Sequence, residues 1–169
     1  MHLASRVLST ALLCLSLAAC FTSKEPLIAA ADAAFPFDRI VFAEVSRPDD
    51  RQSWTRKGDA YSWRPDENDE GEAVMRLKAV SDGLYVVQMG FMENGRAERL
   101  YGVVKPDLAA RRVHSFATVK PDKFEAQPGL TLCDTSVCIE DLDAYVAYAK
   151  GLIDAGVPPD VEYEIIEME

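Results

Sequence analysis

Residues 73–104 read AVMRLKAVS-DG-LYVVQMGFME-NG-RAERLYGVV, and this stretch decides the fold. Asp82-Gly83 and Asn94-Gly95 are two-residue turn signals, because such turns need positive φ, which Gly and Asn accept at little steric cost. Around them lie three strand-like runs: Ala73 to Ser81, Leu84 to Glu93, and Arg96 to Val104. In the first, Met75, Leu77 and Ala79 alternate with Arg76 and Lys78, so one face is apolar and the other wet. The second is apolar on both faces, with Tyr85, Val87, Met89 and Phe91 against Leu84, Val86 and Met92. Such a strand is expected in the middle of the sheet, covered on both sides.

Strand signals continue outward from this meander. Arg39 to Val45 is rich in Ile, Val and Phe and stops at Arg47-Pro48-Asp49-Asp50, which reads as a turn. Trp54 on one side and Tyr61 and Trp63 on the other flank Lys57-Gly58-Asp59, a hairpin pattern that puts Tyr61 and Trp63 on one face. A strand near Arg112 to Val119 lies between two copies of Val-Lys-Pro-Asp, at 104–107 and 119–122, both read as turns. One helix is clear, Asp141 to Ala155: Leu142, Tyr145, Val146, Ala149, Leu152 and Ile153 form a single apolar stripe, and Gly156 with Pro158-Pro159 ends it. Val161 to Ile165 alternates strictly and predicts a last, half-exposed strand. The expected class is α+β, mainly β: a curved antiparallel sheet or half-barrel of about seven strands, with one long C-terminal helix packed on it.

The N-terminus has a different character. Arg6 is followed by an uncharged run from Val7 to Ser23 whose apolar density peaks at Ala11 to Leu17. A basic start before an apolar stretch slightly short for a membrane span is a signal-peptide profile. The run ends in Leu17-Ala18-Ala19-Cys20, which resembles the lipobox of bacterial lipoproteins. That resemblance implies cleavage before Cys20, lipid on its thiol and amine, and a mature protein anchored without spanning. Phe21, rather than Asp, follows the cysteine. By analogy with enterobacterial lipoproteins this favours the outer membrane, facing the periplasm. The expected organisation is a signal peptide over 1–19, a lipidated Cys20 with a tether over 20–34, and one periplasmic β-rich domain over 35–169. Pro26-Leu27-Ile28, Asp32-Ala33-Ala34-Phe35-Pro36-Phe37 and the late Cys133-x-x-x-x-Cys138 before a helix are similar to features of uncharacterised alphaproteobacterial lipoproteins. That likeness brings no activity with it.

This processing accounts for the four cysteines. Cys14 leaves with the signal, Cys20 carries lipid, and Cys133 and Cys138 remain to pair as a disulfide in an oxidising compartment. A redox dithiol is disfavoured because four residues, not two, separate them, and a zinc site because only His114 could join them as a further soft ligand.

Charge narrows the partners. With 18 Lys and Arg against 28 Asp and Glu, the chain carries −10, which excludes a general nucleic-acid binder. Between Arg96 and Lys123, however, seven basic residues face three acidic ones. Arg96, Arg99, Arg111 and Arg112 are therefore a candidate docking surface for an envelope protein, an anionic glycan or a lipid headgroup.

No catalytic set is legible. Asp66 to Gly71 imitates the start of a calcium loop, but the twelfth position is Leu77 where a bidentate Glu is required, so it reads as a solvated acidic turn. After Cys20 the sole imidazole is His114, on a strand without a nearby Gly-flanked serine. The expectation is therefore a non-enzyme with no catalytic residue, no metal and no cofactor: a lipid-anchored periplasmic binding or scaffold domain. The alternative is a carrier of a small apolar ligand, its half-barrel lined by Trp54, Tyr61, Trp63 and Phe91.

Overall fold

The computed structural model describes residues 21–63, 72–81, 83–93, 96–116, 124–134 and 136–169. The signal peptide with Cys20, the acidic turn at 66–71, Asp82, Asn94-Gly95 and the second Val-Lys-Pro-Asp lie outside the described residues, as does the side chain of Arg96.

The central meander forms as its pattern predicts: β5 (Ala73–Ala79), β6 (Tyr85–Glu93) and β7 (Arg96–Asp107) pair antiparallel in order. Before it come β1 (Phe21–Thr22), β2 (Arg39–Glu44), β3 (Arg47–Lys57) and β4 (Ala60–Trp63), and after it β8 (Arg112–Phe116), β9 (Leu130–Cys133), β10 (Ser136–Ile139), helix α1 (Leu142–Asp154) and β11 (Val161–Met168). The β3–β4 hairpin turns at Gly58, whose φ of 63° needs glycine.

The sheet is not a half-barrel. β11 pairs with β8 on one edge and β2 on the other, so β2, β3, β4, β5, β6, β7, β8 and β11 close into an eight-stranded antiparallel barrel. Closure depends on a strand more than forty residues beyond its partner β8, a pairing that no local pattern announces. Three further strands raise the total among the described residues to eleven. Beside β8, the edge of β7 also binds β1 through Leu100 and Tyr101, and β1 continues through β10 to β9 as a flap outside the barrel.

Two turn readings are corrected. The first Val-Lys-Pro-Asp is the end of β7, where Pro106 opposes Val113. Beyond Val104 that strand has no β6 partner, so a proline without N–H is tolerated at an open edge. Arg47 to Asp50 likewise belongs to β3, and Pro48 falls where the pairing shifts from Ala43–Arg51 to Glu44–Arg47. Proline is accommodated at such a bulge.

Two cores follow from the two apolar faces of β6. Its inward face, Tyr85, Val87 and Met89, looks into the barrel, where Trp54, Tyr61, Met75, Leu77 and Ile165 are buried. Its outward face is covered by α1, so Val86 and Val103 pack with Leu142, Tyr145 and Ala149. The helix is set by its ends. Asp141 accepts from Asp143 N (2.8 Å) at the N-cap. At the other end Gly156 N and Val157 N reach the carbonyls of Ile153 and Leu152 around a left-handed glycine. The Cys133–Cys138 disulfide staples the β9–β10 hairpin just before it.

Residues 21–34 are not a free tether. Phe21 is 3% exposed and Ile28 0%, both within the core under the helix. Gln88, buried on the outer wall of β6, holds this segment: its Oε1 accepts from Leu27 N (2.8 Å), Ile28 N (2.9 Å) and the Tyr101 hydroxyl (2.8 Å). Composition concealed this, because one Phe and one Ile in an Ala-rich run are enough to dock it once a hydrogen-bonding floor exists.

Candidate functional site: a hollow in the barrel

An eight-stranded barrel has an interior that side chains just fill, or that holds one small ligand. Here it does both. At one side, large aromatics fill the space. Trp54 stacks on Trp63 (centroids 5.9 Å apart), and Tyr61 lies against Phe35 (5.6 Å) and Phe37 (4.7 Å), its hydroxyl donating to Phe37 O at 2.7 Å. Burial pushes the Tyr61 hydroxyl pKa up to about 12, against the smaller opposing effect of that hydrogen bond. Arg56 stacks over Phe35 at 4.0 Å and completes this plug.

At the other side β6, β7 and β8 present small residues inward: Val87, Gly102, Val104, Val113 and Ser115. The space they leave is a cavity of about 190 Å³, walled also by Phe37, Phe42, Leu77 and Met89. Inward-facing Tyr85, Val87 and Met89 accordingly stay half-exposed, whereas outward-facing Val86 and Gln88 are buried. Polar groups in this wall are few. Gln52 Oε1 accepts from Trp54 Nε1 (3.3 Å), Ser115 is 8% exposed, and Tyr163 packs edge-on against Phe42 (5.2 Å). Burial, and then the charge of Glu44, raise the pKa of the Tyr163 hydroxyl and keep it protonated, while Arg47 opposes them.

The four aromatics expected to line a pocket are thus placed beside the cavity rather than around it. Trp54, Tyr61 and Trp63 are brought together as packed core, and Phe91 is half-buried on β6. None of the four borders the hollow. The signal that finds the true wall is the parity of β6 and β7 combined with their small residues, which deviates from the usual preference for bulk inside.

The docking arginines are dispersed. Arg99 donates to Lys24 O (2.6 Å) and so binds the N-terminal segment. Arg111, in a left-handed backbone conformation (φ 53°), donates to the carbonyls of Ile165 (3.0 Å) and Ile166 (2.5 Å), and its own carbonyl receives Ile165 N. It thereby ties down the irregular pairing of β11, the strand that closes the barrel. Arg112 is half-buried on β8. His114 points out of the barrel, with Nδ1 3.3 Å from Glu162. Among the described residues, no three His, Cys, Asp or Glu side chains group as a metal site would need, and no helix is long and apolar enough to cross a membrane.

What the fold and the hollow define is a small β-barrel with a buried aromatic cluster beside an apolar cavity. No protein-family model, no curated protein and no solved structure matches the chain.

Proposed function

We propose that this protein is a non-catalytic binding barrel that holds a small apolar molecule in its interior, and that it is carried on a membrane, facing the periplasm, by lipid on Cys20. The observation that carries the binding role is the 190 Å³ hollow with its apolar wall. A filled core would be more stable, since the half-exposed apolar surfaces of Tyr85, Val87 and Met89 stay accessible where packing would bury them, at about 25 cal/mol per Å². The non-catalytic part is supported by the position of His114, which faces away from the cavity. The scaffold reading ranks second, because Arg99 and Arg111 spend their guanidinium groups on backbone carbonyls of the same chain.

With Phe21 already buried in β1, a lipid on the preceding residue would leave no slack, and the domain would rest directly on the bilayer. Phe21 in place of Asp after the cysteine favours the outer membrane by the enterobacterial analogy. Native mass spectrometry of the protein purified from its own host tests the binding role. A carrier retains a small molecule that is released on unfolding, and recovery of only the bare chain refutes the reading. Cys20→Ser tests the anchor separately: the variant is expected in the soluble fraction, and full retention on the membrane overturns lipid attachment there.

A further inference from the structure

The cavity wall carries no Lys, Arg, His, Asp or Glu, and the few polar groups it has are uncharged. Gln52 uses its oxygen on Trp54, so its amide N–H groups have no partner among the described residues. Ser115 Oγ and the Tyr163 hydroxyl have none either, and both residues line the cavity. Strands β3, β8 and β11 each contribute one of these groups. These groups line the cavity with hydrogen-bonding capacity that the chain does not use, and they define what a bound molecule can pair with.

Resting on the binding role proposed above, we infer that the ligand is a neutral, compact molecule, one ring or a short branched chain, bearing a single hydroxyl or carbonyl oxygen. Size follows from volume: a dry cavity of about 150 Å³ takes benzene, and this one is about 190 Å³. Neutrality follows from desolvation. A carboxylate or ammonium entering this wall would give up water and find no counter-charge. The single oxygen follows from the unpaired Gln52 donors and the Ser115 and Tyr163 hydroxyls, which serve either an acceptor or a donor.

The test is a ligand-observed NMR titration of the purified protein with toluene, benzyl alcohol and benzoate, three probes on one ring. Benzyl alcohol is expected to bind about threefold to tenfold tighter than toluene, the worth of one net hydrogen bond. Benzoate is expected to bind weaker than the alcohol by about 100-fold or more. Gly102→Leu projects a side chain into the cavity and should abolish binding of both neutral probes, and Val113→Phe does the same from another strand if the first variant fails to fold. Gln52→Leu, Ser115→Ala and Tyr163→Phe combined should remove the preference for the alcohol and leave toluene bound. Equal binding of toluene and benzyl alcohol, or comparable binding of benzoate, with both filling variants still blocking, overturns the ligand class and leaves the binding role standing. Binding of none of the probes, or binding unaffected by either filling variant, overturns the binding role itself.

Discussion

Replacing Gln88 by Leu isolates the interaction that makes residues 21–34 part of the domain. The side chains are of similar size, so packing against Val86 and Tyr101 changes little, and the loss is that of one acceptor. Three donors converge on it. Leu27 N keeps the Tyr101 hydroxyl oxygen at 3.0 Å, and that hydroxyl keeps Ser23 Oγ at 2.8 Å. Ile28 N has no other described acceptor and lies in a residue with no exposure. Orphaning it costs about 1–3 kcal/mol, and weakening the other two bonds adds roughly 0.5–1.5 kcal/mol. The expected destabilisation is therefore about 1.5–4.5 kcal/mol, read as a lowered urea midpoint at unchanged slope. Hydrogen exchange followed by mass spectrometry should show residues 21–34 losing protection well before the β5–β7 meander. An unfolding free energy within about 0.5 kcal/mol of the parent's, together with residues 21–34 exchanging at the unfolded rate in the unsubstituted protein, would falsify the docking and restore the tether.

Two further outcomes separate backbone from side-chain effects. Gly129 has φ +82°, and a Cβ there would lie 2.8 Å from the Cβ atoms of both Ala144 and Asp141 at the start of α1. Gly129→Ala should cost about 2–4 kcal/mol, the left-handed penalty plus overpacking. Gly58→Ala, at φ +63° with open space around it, should cost only about 1–2 kcal/mol, and equal losses from the two variants in thermal unfolding would contradict the difference in crowding between these glycines. The second outcome is alkaline. Because folding raises the Tyr61 pKa from the ordinary value near 10 to about 12, the unfolded chain loses this proton first. Its contribution to stability is complete below about pH 10 and declines from there through about pH 12. Tyr101, Tyr148 and Tyr163, raised by burial, act in the same direction. Tyr61→Phe should flatten the decline in a pH series of urea midpoints, and an unchanged slope would exclude Tyr61 as a contributor.

Much of this protein was legible residue by residue. Periodicity of two over 73–104, Gly-containing turns and an apolar stripe with Asp141 and Gly156 at its ends are local signals. They located the meander, the β3–β4 hairpin and the helix close to where those elements lie. The two-faced apolar pattern of β6 also foretold that both its sides are covered. The cysteine pair was legible for the same reason, since a short loop between two thiols is a local fact.

Barrel closure, the docking of Phe21 and Ile28, and the hollow were decided only in three dimensions. Each depends on which distant strands become neighbours: β11 between β8 and β2, β1 between β7 and β10, and Gly102 opposite Val87. Tyr61 and Trp54 show the limit most clearly. Their chemistry placed them in the interior as lining, and they pack it as core instead. Whether the space beside them would be filled or empty depended on the summed volume of side chains from strands far apart in the chain. That sum is a property of the closed barrel, and no single stretch of sequence contains it.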